Sequence, residues 1–517
     1  MAFPNLHLSK DPRALLSGSD NDAVIVVTSQ KGCSANAEVD SVLHSVAEMD
    51  KRLGKDAMLV HSSKVAGGRL IHAPTGELAH DYDDVRCFCD AAAKGILLAK
   101  DSGATNPVLV VEGVPSETAF ANAVEVSFLG ACQALWQPLE AREALGTETV
   151  EPVESISILD VNDQIDASYL SALETGRRLA RDLAGTNAER MAPPNFANYC
   201  VEALDGSSLS IEVIDDQTKI TEDYPLLAAV GRCSQSVPRH QPRVIKVGYE
   251  GEGPIEKTLF IVGKGVTFDT GGADLKVGGH MAGMSRDKGG AAAVAGFMKV
   301  VSELKPKGLK VVAFLAAVRN SIGANAFTAD EIITSHAGVR VRIGNTDAEG
   351  RLAMTDSLSH CRQMALEATN PELMTVATLT GHAALAVGPY AALVENGTAR
   401  KQSVAQKLAD VGDDWGDCME VNRSRREDWH MNRPRSKADD VLSSNNGPSV
   451  SVARGHQFPM AFMSTASGLD AHGVRSKHPL PYLHIDIAGS FVEDSAWQHG
   501  KPTAAPVTAL AARYLKT

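Results

Sequence analysis

Short apolar runs alternate with longer amphipathic stretches along this chain, and the alternation limits the folds it can adopt. In the first third, runs typical of strands lie at 23–28, 57–61, 108–112 and 155–161, and stretches typical of helices lie at 35–53 and 117–135. Later strand-like runs lie at 225–230, 244–248, 258–263, 309–317, 339–344, 373–380 and 483–488. Strands that alternate with helices predict an α/β fold.

The length of 517 residues exceeds one ordinary hydrophobic core and predicts two domains. We place an N-terminal α/β domain at 1–164, a linker helix at 165–190 and a second α/β domain at 191–517. The linker is predicted from leucines at helical spacing, and Pro193-Pro194 is expected to stop helical structure. The second domain is expected to hold a mixed central sheet flanked by helices, with surface loops at 420–457.

Net charge and the lack of targeting signals indicate which partners and which cellular compartment to expect. The net charge is −13, from 50 basic and 63 acidic residues, which disfavours binding to nucleic acid. The sequence contains no apolar run of about 18 residues that could span a membrane, and its start does not have the pattern of a secretory signal. The eight cysteines are scattered, which favours reduced thiols in a cytoplasmic protein.

The sequence Asn-Thr-Asp-Ala-Glu-Gly-Arg-Leu at 345–352 sets two carboxylates beside an arginine. Because it follows the strand-like run 338–343, we expect Asp347 and Glu349 to leave a strand end on the same side. Two hard oxygen ligands aimed at one point can hold divalent cations. An isolated pair of this kind is more often a solvated loop feature.

A second segment, 262–290, supplies Lys264, Asp269, Lys276 and Asp287 around tight glycine turns. The strand at 258–263 is expected to deliver Lys264 at its carboxyl end, where open α/β sheets place ligand sites. Taken singly, the lysines could form surface ion pairs and Asp287 could cap the small-residue helix that follows. Because the same chain also contains the carboxylates of 345–352, we favour one site shared by both segments.

These two segments carry a family resemblance. The chain resembles the leucyl aminopeptidase family, the two-metal peptidases called M17, and within it the branch called probable aminopeptidase-like-1. The octapeptide at 345–352 matches the family signature without a change, and the upstream spacing of Gly-Lys-Gly, Asp-x-Gly-Gly and Asp-x-Gly-Gly-Ala also matches. The resemblance covers roughly 165–515 and implies that the second domain is the catalytic one. The N-terminal domain is then expected to serve assembly or regulation, or to be a scaffold without chemistry.

The resemblance implies a role for each matching position. Two divalent ions, Zn²⁺ or Mn²⁺ with Mg²⁺ or Co²⁺ also possible, would be held by Lys264, Asp269, Asp287, Asp347 and Glu349. Lys276 would bind the peptide carbonyl oxygen, and Arg351 would hold a bicarbonate ion that acts as general base. The side chain of the first substrate residue would lie among Met284, Thr378, Gly381, Ala488 and Phe491, although core packing explains these five residues equally well.

The chemistry explains why such residues are needed. A metal lowers the pKa of its bound water from about 15.7 towards about 7, which yields a nucleophile for amide hydrolysis. A lysine can be a ligand only as a neutral amine, and at pH 7 its deprotonation costs about 4–5 kcal/mol, which an adjacent dication offsets. Lys276, in contrast, must stay charged to stabilise an oxyanion.

Two departures from the family pattern stand out. Phe491 replaces a methionine of well-known members, so a rigid ring takes the place of an adaptable thioether. The common Ala-Glu-Asn reads Val318-Arg319-Asn320 here, where we expect altered packing or assembly contacts and no loss of chemistry.

The predicted function is therefore a two-metal aminopeptidase that removes leucine-like N-terminal residues, with a broad range, from peptides with a free N-terminus. The sequence lacks His-Glu-x-x-His, Gly-x-Ser-x-Gly and a phosphate-binding Gly-x-x-x-x-Gly-Lys-Ser/Thr loop. Two alternatives are a silent family member that acts as a binding or structural protein, and a dipeptidase that prefers Cys-Gly. The resemblance also implies a homohexamer built as a dimer of trimers.

Overall fold

The computed structural model describes residues 4–493 and 499–516. The chain forms two compact units, Met1–Arg178 with Val411–Asp417, and Leu179–Asp410 with Cys418–Thr517. The first division between them falls inside a helix, Ala167–Gly185, which lies where the sequence predicted a linker helix. The domain limits predicted from the sequence stay a prediction.

The first unit contains a six-stranded sheet with flanking helices. Its strands are β1 (Asn5–Ser9), β2 (Ala23–Thr28), β3 (Met58–His61), β4 (Arg69–Pro74), β5 (Pro107–Glu112) and β6 (Ser155–Leu159). The strand order is β1-β6-β5-β2-β4-β3, and every pair is parallel except β3 with β4. Its helices are α1 (Ala37–Met49), α2 (Arg86–Asp101), α3 (Ala123–Leu135), α4 (Leu139–Leu145) and α5 (Thr147–Val150), and α6 (Ala167–Gly185) follows.

Strand β2 shows why the sequence adopts this arrangement. All six of its residues are buried, and parallel neighbours pair with both of its edges. Continuous apolar runs are typical of strands that are covered on both faces. Helix α2 approaches this strand closely at Gly95, where an added Cβ would lie 2.7 Å from Cγ2 of Ile25.

The second unit is built on an eight-stranded mixed sheet. Its strands are β7 (Ser210–Ile214), β8 (Arg243–Glu250), β9 (Lys257–Asp269), β10 (Leu309–Asn320), β13 (Pro371–Ala377), β14 (Ala391–Glu395), β15 (Met419–Val421) and β17 (Tyr482–Asp486). The order is β15-β14-β17-β13-β9-β10-β8-β7, with a parallel centre from β17 to β10. Small sheets are formed by β11 (Ile332–Thr334), β12 (Arg340–Arg342) and β16 (Val441–Leu442), and by β18 (Val492–Glu493) and β19 (Lys501–Pro502).

The helices beyond α6 complete the α/β fold that the sequence predicted, which is confirmed. They are α7 (Pro193–Leu204), α8 (Gln217–Asp223), α9 (Pro225–Gly231), α10 (Gly289–Leu304), α11 (Glu349–Ala365), α12 (Gly381–Val387), α13 (Gly397–Lys401), α14 (Val404–Asp414), α15 (Arg426–Met431), α16 (Phe458–Ala466) and α17 (Val507–Tyr514). Across residues 4–493 and 499–516, no helix has both the length and the apolar character needed to cross a bilayer.

Close backbone contacts fix α10 against the centre of this sheet. A Cβ on Gly290 would lie 2.0 Å from the carbonyl oxygen of Val376 in β13, and one on Gly263 in β9 would lie 2.6 Å from the Cα of Ala291. Neither distance leaves room for a side chain. The Gly-Gly start of the helix is therefore a packing requirement of the sheet that carries the candidate site.

Three local predictions were wrong. The run 225–230 forms helix α9, because Pro225 takes the first helical turn, where a proline is tolerated, and the apolar side chains pack into the core. Pro193 and Pro194 likewise begin helix α7 and do not simply end a helix. Strand β9 continues to Asp269, so Lys264 lies inside the strand and not at its end.

Candidate active site

Strand β9 presents Lys264 to the interior of the site. The residue is 2% exposed, and its Nζ lies 2.8 Å from Oδ1 of Asp287 and 3.0 Å from Oε1 of Glu349. The same Nζ donates to the carbonyl oxygen of Thr378 at 2.9 Å. A Cβ on Gly350 would lie 2.5 Å from Cε of Lys264, so the glycine of the signature leaves the space that the lysine fills.

The end of β9 and the turn after it bring Asp269 and Lys276 together. The backbone of Gly271 has a φ of 86°, a left-handed conformation that suits glycine, and its amide donates to Oδ1 of Asp269 at 2.8 Å. The chain then reverses, and Nζ of Lys276 lies 2.9 Å from Oδ2 of Asp269. Lys276 also forms an ion pair with Oδ1 of Asp347.

The signature octapeptide forms a tight turn that leads directly into a helix. The Asn345 side chain accepts from the amide of Asp347 at 2.7 Å and begins a 3₁₀ turn over Thr346–Ala348, after which Glu349 opens α11. The prediction that Asp347 and Glu349 leave a strand on one side was therefore wrong about the cause. A turn and a helix start, and not strand alternation, direct the two carboxylates to one place.

The predicted ligand residues therefore converge. Ligand oxygens of Asp269, Asp347 and Glu349 all lie within 4.8 Å of one another. Lys264 joins Asp287 to this group, because its Nζ contacts both Asp287 and Glu349. Their roles as metal ligands stay a prediction.

This cluster contains more acidic groups than basic groups. Four buried or half-buried carboxylates face the two ammonium groups of Lys264 and Lys276. Burial, followed by repulsion from Asp269 and Glu349, raises the pKa of Asp347 to about 7. Burial disfavours the charged form of Lys264, but the surrounding carboxylates outweigh it and raise the pKa of this lysine.

These features fit divalent cations. Oδ2 of Asp287 and Oε2 of Glu349 are buried oxygens that have no hydrogen-bond partner among residues 4–493 and 499–516, which is costly in a protein interior. Burial raises the pKa of both carboxyls. Hard cations prefer such carboxylate oxygens, and their charge would offset the repulsion within the cluster.

Arg351 lies two residues after Glu349 in helix α11. Its Nη1 donates to the carbonyl oxygen of Ser443 at 3.0 Å, and its guanidinium carbon lies 5.1 Å from the ring centre of Phe458. Burial lowers the pKa of Arg351 to about 10, which still leaves it charged at neutral pH. The guanidinium Nε is buried and has no hydrogen-bond partner in the part of the chain that the structure describes. An anion such as bicarbonate suits this group, and that assignment stays a prediction.

A cavity of about 870 Å³ opens onto the cluster. All five residues predicted to contact the first substrate side chain line it, namely Met284, Thr378, Gly381, Ala488 and Phe491. The ring of Phe491 lies directly against Gly289, where an added Cβ would be 2.6 Å from two ring carbons. The stretch 444–450, inside the predicted loop region, also lines the cavity.

Sequence reasoning missed three residues that support the cluster. Nδ2 of Asn320 donates to Oδ1 of Asp269 at 2.8 Å, so a residue treated only as part of a packing change contacts a predicted ligand. Thr346 and Asp274 hydrogen-bond to each other between the two segments. Their presence inside the two motifs was visible in the sequence, but the pairing depends on the three-dimensional fold.

Comparison with known proteins identifies the family. A family model described as "Cytosol aminopeptidase family, catalytic domain" matches residues 178–511. A Caenorhabditis elegans protein named as a "putative aminopeptidase" is 42% identical over 506 residues, which cover 95% of each chain.

Bacterial relatives match a shorter stretch. A Chlamydia trachomatis serovar D protein named "probable cytosol aminopeptidase" is 30% identical over 332 residues, which are 64% of this chain and 61% of that protein. A Roseiflexus castenholzii protein of the same name is 28% identical over 395 residues, which are 75% and 73% of the two chains. The family match spans more than half of the chain and includes the whole cluster. The chain therefore belongs to the cytosol aminopeptidase family, the M17 peptidases that its two motifs resemble.

Proposed function

We propose that this chain is a two-metal aminopeptidase that hydrolyses the N-terminal residue, leucine-like with a broad range, from peptides. The observation that carries the proposal is the convergence of four carboxylates and two lysines, all but Glu349 lining one peptide-sized cavity. Membership of a peptidase family supports the same reaction class. The two alternative functions predicted from the sequence gain no specific support from the structure.

The ions would be held by Lys264, Asp269, Asp287, Asp347 and Glu349. Zn²⁺ or Mn²⁺ are the proposed ions, and Mg²⁺ or Co²⁺ would also accept the oxygen ligands. Two such ions, when bound, supply a water nucleophile at neutral pH and polarise the peptide carbonyl.

The remaining groups position and stabilise the substrate. Lys276 carries its charge into the cavity, because the carboxylates of Asp269, Glu349 and Asp347 outweigh the effect of burial and raise the pKa of this lysine. A fixed ammonium group can stabilise the oxyanion that develops on the peptide carbonyl. Arg351 would hold bicarbonate, since its planar fork matches such anions.

The residue released from the peptide would occupy the part of the cavity lined by Met284, Thr378, Gly381, Ala488 and Phe491. Thr378 has a second task, because its hydroxyl donates to Oδ1 of Asp287 at 2.9 Å and thereby orients a predicted ligand. The rigid ring of Phe491 would set the depth of this part of the cavity.

The family also supports a compartment and an assembly. Relatives named as cytosol aminopeptidases support a cytoplasmic location. The family resemblance supports a homohexamer. Light scattering on the purified chain measures the assembly, and a monomeric mass would contradict this part of the proposal.

The substitution Glu349→Gln tests the metal cluster. We expect kcat for a leucyl peptide to fall by more than about a hundredfold, the upper end of the cost of losing an outer-sphere metal partner. Glu367→Gln, just beyond the end of the same helix and exposed, is the matched control and should retain full activity. Thermal unfolding of both variants checks that the fold is intact. A Glu349→Gln enzyme as active as wild type would exclude the proposed mechanism.

Peptides that differ only in their N-terminus test the exopeptidase assignment. A free α-amino group can act as a ligand to a bound ion, whereas acetylation converts it to an amide that is a poor ligand. We expect leucyl peptides to be hydrolysed and their N-acetyl forms to remain intact under the same conditions. Cysteinylglycine, assayed beside them with Mn²⁺, distinguishes the dipeptidase alternative. Equal hydrolysis of blocked and free peptides would contradict the assignment.

The pH dependence of metal affinity tests the role of Lys264 as a ligand. The carboxylates around it raise its pKa, so the lysine is protonated in the metal-free protein and must lose that proton to become a ligand. Titration of chelator-treated protein with Mn²⁺ should therefore show affinity falling by at least about tenfold for each pH unit lowered between pH 8 and 7, since Lys264 alone accounts for one released proton. Below pH 7 the slope should steepen, because the pKa of Asp347 is raised to about 7. Affinity that does not change with pH would argue against a lysine ligand.

A further inference from the structure

Thr346, inside the signature turn, is hydrogen-bonded to the loop that carries Lys276. Its amide donates to Oδ2 of Asp274 at 2.7 Å, and its hydroxyl accepts from the amide of Asp274 at 2.8 Å. The hydroxyl also donates to the carbonyl oxygen of Gly271 at 2.7 Å. Thr346 is fully buried, so water has little access to its amide and hydroxyl, while Asp274 lies at the exposed end of two of these contacts.

Asn320, at the end of β10, contacts the same turn from the other side. Its Nδ2 donates to Oδ1 of Asp269 at 2.8 Å and to the carbonyl oxygen of Thr346 at 3.1 Å. The side chain of Asn320 is fully buried. One threonine therefore joins the end of β10, the loop after β9 and the signature turn.

The loop 270–276 is held mainly by polar contacts. Its two ends are joined by the hydrogen bond from the Lys276 amide to the carbonyl oxygen of Thr270 at 2.9 Å. Ala273, Asp274 and Leu275 are exposed, so apolar packing does not fix their positions. Its glycines adopt left-handed conformations, with φ of 86° at Gly271 and 66° at Gly272. Yet the loop must deliver Lys276 to Asp347 on the neighbouring turn. Between these two ends, the hydrogen bonds of Asp274 with Thr346 tie the exposed part of the loop to the signature turn.

We propose that the paired hydrogen bonds between Asp274 and Thr346, here called the latch, position Lys276 and Asp347 for the reaction. Asn320 fixes Asp269 relative to the same turn. The latch rests on the proposed function for its chemical consequence. Asp274 acts through its acceptor oxygen on the Thr346 amide and not through its charge. Asp274 and Thr346 are accordingly positioning residues and need not touch the substrate.

Two substitutions at position 274 distinguish a role as hydrogen-bond acceptor from a role that depends on negative charge. An asparagine at 274 can still accept from the Thr346 amide through its carbonyl oxygen, whereas an alanine cannot. A carboxylate that bound a substrate amine or an ion directly would be lost equally in both variants. Asp274 lines the cavity, so this distinction decides how it acts.

Amide hydrogen exchange on the full-length protein tests the latch without relying on activity. We expect the Thr346 amide to exchange at least about tenfold faster in Asp274→Ala than in wild type, because it loses its acceptor. Asp274→Asn should keep most of the protection. Ala273→Ser, a change at the exposed neighbouring position, is the matched control and should leave exchange unchanged. Unaltered exchange in Asp274→Ala would overturn the latch.

Kinetics and metal titration on the same variants test its consequence. In Asp274→Ala we expect kcat and Mn²⁺ affinity each to fall by about 10–100-fold with little change in KM, the usual cost of losing an outer-sphere partner. Asp274→Asn should stay within about threefold of wild type. Thr346→Val should resemble Asp274→Ala, and Thr346→Ser should restore most of the loss because it keeps the hydroxyl.

The outcomes separate this proposal from the proposed function. If Asp274→Asn is as impaired as Asp274→Ala, charge carries the role and the latch is wrong. If Asp274→Ala keeps the wild-type kcat and Mn²⁺ affinity, the positioning role is wrong. If wild type neither binds Mn²⁺ nor hydrolyses leucyl peptides, the proposed function fails, and amide exchange alone then decides whether the latch exists.

Discussion

The attraction between two lysines, Lys264 buried and Lys276 half-buried, and a larger group of buried or half-buried carboxylates is the interaction on which the second unit depends. Lys264 is 2% exposed and contacts Asp287 and Glu349 at 2.8 and 3.0 Å. Burying a charged group costs free energy unless ionic partners and hydrogen bonds compensate. The surrounding structure must therefore hold these groups within contact distance of one another. The remaining negative charge and the unpartnered carboxylate oxygens give the cluster its fit to divalent cations.

The fold meets this requirement through close backbone packing. Gly290 lets helix α10 approach β13, and Gly350 leaves space for the Lys264 side chain. Substituting either glycine would force backbone or buried charge to move. The glycines of the two motifs therefore act on the site through the spacing of its elements, whereas the charged residues act through the contacts they make.

Several features were predictable because they depend on local sequence. The apolar run that became β9, the small-residue helix α10 and the mixed sheet follow from periodicity and composition. Other features depend on context. The run 225–230 is as apolar as a strand, yet Pro225 at a helix start and burial on the core favour helix α9. Short apolar runs carry too little periodicity to separate these outcomes.

The candidate site shows the same division. The two motifs named the charged residues correctly as a group that converges, but the reason given for Asp347 and Glu349 was wrong, since a capped turn and a helix start direct them. Asn320 and the pairing of Thr346 with Asp274 were not foreseen. Hydrogen bonds between segments about 70 residues apart leave no periodic signal in the chain.

The sequence by itself determined the fold class, the family and the set of charged residues, because hydrophobic periodicity and short motifs are local properties of the chain. Only the tertiary structure decided which oxygen meets which nitrogen and how the Lys276 loop is held. Those contacts arise when the ends of β9 and β10 and the start of α11 are brought together, and their distances depend on packing throughout the second unit.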